Sequence, residues 1–468
     1  MSMNVKGFAP ILRFLGAAGT VTGSRFALTT TDGVALIDCG LFQGLKELRL
    51  RNWEPFPIAP RAIDAVALTH AHLDHSGYVP ALCREGFAKR VVVTQGTADL
   101  CRVVLPDSGH LQEEEAEYAN RRGYSKHRPA LPLYTENDAT VSLGHLEPGN
   151  FETPTELIPG INVTFRRAGH ILGAANILVE IDGARKRRIL FSGDLGRPAH
   201  PILLPPAPVP AVDAVVVEST YGDRLHNDEE SLKVFEQALK RTAERGGVIV
   251  IPSFAVDRTE VIIYHLRRLV HAGRIPDLPI YVDSPMALAA LHIYRDAIGR
   301  RSPEVRPDVS ADVFNSATYN EVRTVEESIA LNFMKGPMII ISASGMATGG
   351  RVLHHLANRL PDKNNTVILV GYQGEGTRGR RLLEHEPSIK MLGRYVAVRA
   401  EVVDVPAFSV HADQREIINW LATAPKPPEV VYIVHGDPPA AEALKAEIVR
   451  KLGWHAVIPR HMEQVRLD

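Results

Sequence analysis

Residues 70–75 read HAHLDH, and this short stretch decides how the rest of the sequence is interpreted. It contains His70, His72, Asp74 and His75, side chains that bind a borderline cation such as Zn²⁺ without any thiolate. In an extended segment His70 and His72 point the same way and can bind one ion. Asp74 and His75 follow where the chain turns and can face a second ion close by. A solvated polar loop or a set of helix-capping residues is the alternative. It is disfavoured because so many ligand-type residues directly follow a buried strand.

Two later turns supply what this stretch lacks. Residues 168–174 (AGHILGA) place His170 between glycines, and residues 191–196 (FSGDLG) place Asp194 at the end of an apolar run. Alone, each is typical of a structural turn. Four ligands cannot complete two coordination shells, so a further histidine and a carboxylate able to bridge complete the set. Together the three stretches predict a site for two metal ions.

Composition sets the class of protein. The chain has 468 residues, 45% of them hydrophobic and 23% charged, which is typical of a globular protein of two or three domains. Its three cysteines are spaced too irregularly for a thiolate zinc cage, and their small number predicts a reducing compartment. The N-terminal apolar stretch is broken by Gly and Pro, which argues against a signal peptide. With no apolar window of about 18 residues, the sequence predicts no membrane association and a cytoplasmic location.

The charge balance limits how a polyanion can be bound. The formal net charge is −1, so the chain lacks the general basic excess of a dedicated nucleic-acid domain. Attraction for a polyanion must therefore come from a local groove and from metal ions.

The pattern of predicted secondary structure changes along the chain. Strands and Gly-rich turns dominate the first third, and residues 105–150 read as an excursion from the core that is helical at best around 113–122. The proline-rich residues 198–212 predict a long surface connection or a domain boundary.

From about residue 229 short apolar strands alternate with helical patterns near 229–245, 257–273, 285–297 and 377–385. This alternation predicts a second domain with a parallel sheet covered on both faces.

The ordered motifs resemble those of the metallo-β-lactamase fold: Asp38, the 70–75 run, His170, Asp194 and His435. Three motifs resemble the additional ones of the β-CASP subfamily, which contains the pre-mRNA 3′-end cleavage endonuclease and its bacterial and archaeal relatives: Glu218 in ESTYGD, His411 in FSVHAD and His435 in VHGD.

The resemblance implies an α/β fold, an αββα sandwich with an inserted β-CASP domain that has a parallel sheet. The sandwich would be built from residues 1–225 and 395–468, with residues 226–394 inserted between them.

The resemblance also implies the role of each ligand. One Zn²⁺ would be held by His70, His72 and His170. A second Zn²⁺ would be held by Asp74, His75 and His435. Asp194 would bridge the two ions, Asp38 would orient ligands by hydrogen bonds, and Asp74 and Asp194 would also count among the catalytic residues.

By the same resemblance, the two ions share a hydroxide that attacks phosphorus, and His411, oriented by Glu218, gives a proton to the leaving oxygen. Without the resemblance, Glu218 reads equally as a strand-end cap and His411 as a residue at a helix N-terminus. By the resemblance, the DNA-processing branch has Val at the position of His435, so the histidine here favours RNA as the substrate.

Glycine-rich and arginine-rich loops predict contacts with RNA phosphates. Ser342, Ser344 and Gly345 lie in one loop, and Arg378 and Arg380 lie in another. Glycine lets backbone N–H groups approach a phosphate, and arginine offers paired donors. A turn followed by a solvated basic helix face explains the same residues almost equally well.

The sequence therefore predicts a zinc-dependent ribonuclease acting on single-stranded RNA, with endonuclease action favoured over 5′-exonuclease action. A small-substrate hydrolase of the same fold is disfavoured by the inserted domain, and a non-catalytic scaffold is disfavoured because every ligand is kept. The sequence gives no protein partner. Asp257 stands where relatives often have Gly, which predicts a change at the start of the following helix.

Overall fold

The computed structural model describes residues 9–123, 125–183, 185–314 and 318–467. The described residues form two compact units, one containing those up to Leu225 and those from His411 onward, the other His226–Val410. Because the chain leaves the first unit and later returns to it, the second unit is an insertion.

The described strands are β1 (Ile11–Phe14), β2 (Phe26–Thr29), β3 (Val34–Ile37), β4 (Ala65–Ala67), β5 (Arg90–Thr94), β6 (Leu146–Gly149), β7 (Thr155–Ile158), β8 (Ile161–Arg167), β9 (Ala175–Ile181), β10 (Arg187–Phe191), β11 (Ala214–Glu218), β12 (Val248–Pro252), β13 (Ile280–Val282), β14 (Tyr319–Glu321), β15 (Met338–Ser342), β16 (Thr366–Leu369), β17 (Ser388–Met391), β18 (Arg394–Ala397), β19 (Glu401–Asp404), β20 (Val430–Val434), β21 (Ala456–Val457) and β22 (Gln464–Arg466). The described α-helices are α1 (Lys46–Leu50), α2 (Leu73–Ser76), α3 (Val79–Arg84), α4 (Gln95–Arg122), α5 (Glu136–Ser142), α6 (Asp228–Glu244), α7 (Arg258–His271), α8 (Pro285–Gly299), α9 (Val325–Leu331), α10 (Val352–Arg359), α11 (Arg378–Leu383), α12 (Gln414–Leu421) and α13 (Pro438–Leu452). Short 3₁₀ helices cover Arg51–Trp53, Pro60–Ala62, Leu143–His145, Ala311–Phe314 and Pro406–Phe408.

The first unit contains two mixed sheets. Among the described strands their orders are β22-β1-β2-β3-β4-β5-β6 and β21-β20-β11-β10-β9-β8-β7. Strands β3 to β6 run parallel in the first sheet, and β10, β11, β20 and β21 run parallel in the second. Parallel strands present their carboxyl ends at one edge of a sheet, which is where open α/β sheets place ligand sites.

Apolar side chains from both sheets form one buried cluster between them. The ring of Phe14 lies 5.3 Å from that of Tyr432, and the ring of Phe26 lies 5.5 Å from that of Phe191. Each such aromatic pair adds about 0.5–1.5 kcal/mol beyond the burial of its area. Helices α12 and α13 cover the other face of the second sheet, and α4 contacts β5 and β6 of the first. The predicted α/β sandwich is therefore confirmed.

Helix α4 is much longer than the sequence predicts. It begins at Gln95, where the hydroxyl of Thr94 accepts a hydrogen bond from the N–H of Thr97, and it continues through Pro106 to Arg122. The prediction of helix only around 113–122 was wrong because Pro106 reads as a break, although the proline lies inside the helix. The prediction that residues 105–150 lie outside the core was also wrong for the last of these residues, since β6 (Leu146–Gly149) pairs with β5.

The proline-rich stretch 198–212 contains no described helix or strand, as predicted. It is not the domain boundary, because it lies within the first unit, which the chain leaves only after Leu225. Ile202 and Val209 are buried, and the indole N–H of Trp420 donates to the carbonyl of Ala207 at 2.8 Å. The stretch therefore packs against the sandwich.

The second unit has a parallel sheet with the strand order β14-β13-β15-β12-β16-β19 among its described strands. The predicted alternation of parallel strands with helices is confirmed. Residues 395–410, which the sequence predicts in the returning segment, lie in the second unit of the structure. The physical reason is that β19 pairs with β16 along Glu401–Asp404 and extends this sheet.

A buried polar cluster surrounds Asp283, which directly follows β13 in the second unit. The Asp283 carboxylate is fully buried and accepts hydrogen bonds from Arg351 at 2.7 Å and from the hydroxyl of Ser328. Nε2 of His355, also fully buried, lies 2.6 Å from the same carboxylate. Buried polar groups that are all paired in this way stabilise one arrangement of the core.

Across the described parts of the chain, we find no helix that is both long and apolar enough to cross a membrane.

Candidate metal centre

The predicted ligand residues follow strands of the first unit. His70 lies shortly after β4, and Asp194 and His435 lie shortly after β10 and β20. Glu218 is the last residue of β11, which pairs in parallel with both β10 and β20. The three parallel strands therefore bring Asp194, Glu218 and His435 to one edge of the second sheet.

Four of the predicted ligands form a first set: His70, His72, His170 and Asp194, with their nitrogen and oxygen ligand atoms all within 4.8 Å of one another. Nδ1 of His72 lies 3.1 Å from Nε2 of His70 and 3.2 Å from Nε2 of His170. Three imidazole nitrogens thus converge on one point.

The other three form a second set. Asp74, His75 and His435 also place their ligand atoms within 4.8 Å of one another. Nε2 of His435 lies 3.1 Å from Nε2 of His75 and 3.3 Å from Oδ2 of Asp74. Helix α2 carries Asp74 and His75 on successive positions, so the short turn aims both side chains at His435, 360 residues later.

Asp194 faces both sets. Its Oδ2 lies 3.4 Å from Nε2 of His70 and 3.5 Å from Nε2 of His170, whereas its Oδ1 lies 3.1 Å from Nε2 of His75. One carboxylate therefore presents one oxygen to each group of histidines. The side chain is 2% exposed, so solvent contributes little to satisfying these oxygens.

The donor atoms fit a pair of zinc ions. Oδ1 of Asp194 is buried and accepts no hydrogen bond despite the nearby His75 nitrogen, and a buried carboxylate oxygen without a donor is costly unless a cation balances it. Imidazole nitrogens and carboxylate oxygens are ligands that zinc prefers. The side chains of the two sets supply only these two kinds of ligand atom.

Protonation favours the same interpretation for two histidines of the first set. Burial, together with the neighbouring His70, lowers the pKa of His72 to about 3. Burial and the neighbouring His411 lower the pKa of His170 well below its ordinary value. Both imidazoles are therefore neutral at pH 7, which is the form that binds a metal ion.

Asp38 holds one ligand in place. Its Oδ2 lies 2.7 Å from Nδ1 of His75, and its Oδ1 accepts the backbone N–H of Thr69 at 2.8 Å. A carboxylate on Nδ1 fixes the tautomer of the imidazole, so that Nε2 is directed at the second set. The structure thus places Asp38 where the predicted orienting role requires it.

Two glycines permit the backbone to approach at this centre. A Cβ atom on Gly40 would lie 1.6 Å from the carbonyl oxygen of Asp74, and one on Gly196 would lie 1.8 Å from the carbonyl oxygen of Gly169. Only glycine allows such contacts, which set the positions of the turns that carry Asp74 and His170.

His411 and Glu218 lie next to the first set. Nδ1 of His411 is 3.3 Å from Oε1 of Glu218 and 3.9 Å from Oδ2 of Asp194. Glu218 is fully buried and accepts the backbone N–H of Leu195 at 2.6 Å. Burial lowers the pKa of His411, but the carboxylates of Glu218 and Asp194 more than offset it and raise that pKa above its ordinary value.

The turn that carries His411 is fixed by the helix after it. Asp413 caps α12, with its carboxylate accepting the N–H of Glu416 while Glu416 accepts the N–H of Asp413. Such caps stabilise a helix by about 1 kcal/mol. In addition, the N–H of Ala412 donates to the carbonyl of Leu195 at 2.7 Å. This anchors the segment beside Asp194.

The residues predicted to bind RNA phosphates lie in the second unit and differ in their surroundings. Ser342 is buried, and its hydroxyl donates to the carbonyl of Asp283. Gly345 is also buried, and its carbonyl accepts a hydrogen bond from Gln373. The Ser344 hydroxyl accepts the N–H of Thr348.

The two predicted arginines also have internal partners. Arg378 donates to the carbonyls of Ala347, Thr348 and Lys390. Arg380 is exposed and pairs with Glu384 at 2.7 Å.

Two threonines at the centre were missed by sequence reasoning. The hydroxyl of Thr69 lies 3.0 Å from both Oδ1 of Asp38 and Nδ1 of His70. The hydroxyl of Thr220 lies 3.3 Å from Nδ1 of His435. The available signal was adjacency, since Thr69 precedes the 70–75 run and Thr220 lies in the motif of Glu218.

Three family models match the chain in succession. The metallo-beta-lactamase superfamily matches residues 23–245, and the Beta-Casp domain matches residues 259–382. The Zn-dependent metallo-hydrolase RNA specificity domain matches residues 395–459, which include His411 and His435.

Relatives match along most of the chain. A protein of Thermus thermophilus named as a ribonuclease is 38% identical over 425 residues, covering 90% of this chain and 92% of the relative. An RNase J-like protein of Methanocaldococcus jannaschii is 31% identical, covering 91% and 92% of the two chains. The transcription termination factor FttA of Methanosarcina mazei is 32% identical, covering 97% of this chain and 71% of that protein.

The fold also resembles a solved structure. The crystal structure of a protein of unknown function from Enterococcus faecalis matches with a TM-score of 0.56 at 15% identity, covering 98% of this chain and 100% of that one. The family models and the relatives confirm the resemblance drawn from the motifs. The chain belongs to the β-CASP RNA-processing nuclease subfamily of the metallo-β-lactamase superfamily, a group of metal-dependent hydrolases.

Proposed function

We propose that the protein is a zinc-dependent ribonuclease that cuts phosphodiester bonds within single-stranded RNA. The observation that carries this proposal is the position of Asp194, which faces both sets of ligand atoms and has His411 beside it. Such a centre can bind two cations, with a proton donor next to them.

In this proposal one zinc ion would be held by His70, His72 and His170, and the other by Asp74, His75 and His435, with Asp194 available to both. When bound, the two ions lower the pKa of water and neutralise charge on the phosphate. Asp38 directs Nε2 of His75 toward the ions, which supports their affinity.

The chain's own acid is His411. With Nδ1–H donated to Glu218, the other ring nitrogen of His411 holds the proton that the leaving oxygen needs. The P–O bond to that oxygen breaks as a new P–O bond forms with the water-derived nucleophile. The raised pKa of His411 supports this role because a larger fraction of the imidazole carries the proton at neutral pH.

RNA is the substrate class that the observations favour. His435 lies in the second ligand set, at the position where the DNA-processing branch of the family has Val. The family model that matches this segment is an RNA specificity domain. Ser344 and the exposed Arg380, which would exchange Glu384 for a phosphate, would contact RNA. The buried Gly345 and the internal hydrogen bonds of Ser342 and Arg378 would hold their loops in shape.

The test is cleavage of matched single-stranded RNA and DNA by the purified, zinc-loaded protein, beside a His411→Ala variant with the same zinc content. The RNA carries a label at either end, and one sample carries a blocked 5′ end. We expect internal fragments from RNA, including the blocked RNA, little cleavage of DNA, and loss of activity in the variant.

Each part of the proposal has its own contrary result. Products released only one nucleotide at a time from an open 5′ end would show that the protein acts as a 5′-exonuclease and not as an endonuclease. Equal cleavage by His411→Ala would remove the general acid. Hydrolysis of small esters or lactams, with no cleavage of RNA, would support the small-substrate reading.

A further inference from the structure

Three basic segments of the described chain differ in how their charges are paired. Two of them are neutralised by acidic partners. In the segment 185–188, Arg185 and Arg187 pair with Glu429 at 2.7 and 2.8 Å, and Lys186 and Arg188 pair with Glu180 at 3.2 and 3.3 Å. In the segment 378–381, Arg380 and Arg381 pair with Glu384 and Glu386.

The third segment is different. Arg121, Arg122, Lys126 and Arg128 are exposed, and none forms an ion pair with any residue that the structure describes. The sequence also contains no acidic residue between Glu117 and Glu136. These four cations follow an acidic stretch of helix α4, Glu113 to Glu117, but form no ion pair with it, so they leave a local positive surface beyond the helix end.

The fold gathers these side chains in one place. Helix α4 ends at Arg122 with Gly123 in the left-handed region, at φ +65°. The amide of Asn120 then donates to the carbonyl of Ala130 at 3.0 Å and accepts the N–H of Ala130 at 2.7 Å. This pair of bonds folds the segment with Lys126 and Arg128 back against the helix end.

An aromatic ring belongs to the same surface. Tyr118 is 47% exposed, and the Arg122 guanidinium lies 5.5 Å from the centre of its ring. Tyr118, Arg121 and Arg122 line one open depression. Cations beside an exposed aromatic ring suit a single strand, because phosphates pair with the cations and a base stacks on the ring.

Helix α4 links this surface to the metal centre. At its start, the hydroxyls of Thr94 and Thr97 donate to the carbonyl of Gly173, in the turn that carries His170. The helix has 28 residues, which at 1.5 Å per residue is a length of about 42 Å. The far end of α4 therefore lies up to about 40 Å from the turn of His170.

Stabilisation of helix α4 by its own basic residues explains only part of this arrangement. Arg121 and Arg122 in the last turn stabilise the helix dipole. Lys126 and Arg128 lie beyond the helix, so the dipole gives no reason for their position.

We propose that Tyr118, Arg121, Arg122, Lys126 and Arg128, here named the basic tip, bind the backbone of single-stranded RNA away from the metal centre. The proposal rests on the proposed ribonuclease function, because it assigns a second contact for the same substrate. At 3.4 Å per nucleotide along a helical strand, about 12 nucleotides span 40 Å. The basic tip therefore acts on long RNA and not on short RNA.

The test compares two variants that lose the same charge. The tip variant carries Arg121→Gln, Arg122→Gln, Lys126→Gln and Arg128→Gln. The control variant carries Arg185→Gln, Lys186→Gln, Arg450→Gln and Lys451→Gln, which are exposed residues of the same unit that are already paired with acids. Both are built on His411→Ala, so that a labelled 30-nucleotide RNA stays intact while its Kd is measured between 50 and 200 mM salt.

Each phosphate contact contributes about 0.7 to the salt slope for a single strand, so four contacts contribute about 2.8. We expect the tip variant to lose this amount of slope. The affinity advantage of the parent over the tip variant should then shrink about 50-fold between 50 and 200 mM salt. The control variant should keep the slope of the parent, and a 6-nucleotide RNA should not distinguish the three proteins.

An unchanged slope in a tip variant that keeps the parental melting temperature would overturn the proposal. So would equal losses in the tip and control variants, which would mean that only net charge matters. Loss of binding to vesicles rich in phosphatidylserine, with RNA binding retained, would assign the surface to a membrane and also overturn it. Failure of the ribonuclease function is separate, because it appears as uncut RNA in the cleavage assay while the binding difference persists.

Discussion

Asp38 and His75 form a buried pair, with Oδ2 of the carboxylate 2.7 Å from Nδ1 of the imidazole. The contact joins a residue at the end of β3 to a ligand in α2. It leaves Nε2 of His75 directed at Asp194 and His435. A residue outside both proposed ligand sets therefore orients one of the proposed ligands.

Replacing this carboxylate should weaken metal binding before it affects the fold. We expect Asp38→Ala to lower zinc affinity about 10–100-fold, because His75 loses the partner that fixes its tautomer. Asp38→Asn should lose less, since its amide oxygen can still accept from Nδ1–H. Competition with a coloured chelator measures the affinity, and Asp32→Ala, at an exposed position, is the control. Parental affinity in Asp38→Ala would show that Asp38 does not orient the ligand.

His411→Ala should separate chemistry from metal binding. Loss of a general acid reduces turnover by about 10²–10⁴-fold, whereas the seven proposed ligands are untouched. Single-turnover cleavage of RNA and the zinc content of the same sample are the two readouts. His354→Ala, at an exposed histidine of the second unit, should match the parent in both. If zinc content falls with activity, His411 acts in binding the metal instead.

Gly40→Ala should damage the centre through the backbone. The added Cβ would lie 1.6 Å from the carbonyl oxygen of Asp74, so the turn of Asp74 has to move. We expect a loss of about 3 kcal/mol or more in the free energy of unfolding, together with weaker zinc binding. Gly144→Ala, where no atom lies within 4 Å of the added Cβ, should change neither. Similar stability in the two variants would contradict the close approach.

The Asp283 cluster should show a defined pH dependence. Burial raises the pKa of Asp283, but His355, Ser328 and Arg351 more than offset it, and the net pKa is lowered. A carboxyl with a lowered pKa in the folded state stabilises the protein above its ordinary pKa, and this stability is lost as the pH falls through the lowered value.

We therefore expect Asp283→Asn to destabilise the second unit by about 3–5 kcal/mol at pH 7, because it leaves Arg351 without its buried partner. The difference from the parent should narrow below about pH 4. Amide hydrogen exchange of β13 and β15 measures it locally, with Asp308→Asn at an exposed position as the control. A difference that does not change with pH would rule out the ionised carboxylate as its source.

Much of the centre was predictable because its residues follow strands. The 70–75 run, His170 and Asp194 each stand in a turn after an apolar segment, and parallel strands bring such turns to one edge. Thr220 lies in the motif of Glu218, but its contact with His435 was not predictable, since 215 residues separate the two.

Lengths and boundaries were harder to predict for physical reasons. Helix α4 continues through Pro106 because buried side chains before the proline keep its first half against the sheet, and Thr94 caps its start. The return to the first unit begins at His411, since a strand as short as β19 fits either sheet by its sequence and only its pairing with β16 decides. Tertiary pairing overrides local pattern at both places.

The central proposal is that seven side chains, drawn from four separate parts of the first unit, hold two zinc ions that share Asp194. Anomalous diffraction at the zinc edge, from crystals of the zinc-loaded protein, tests it most directly. We predict two peaks about 3.5–4 Å apart beside Asp194, one next to His70, His72 and His170 and the other next to Asp74, His75 and His435. A map with no peak at Asp194, or with a single peak there at full zinc loading, would contradict the account.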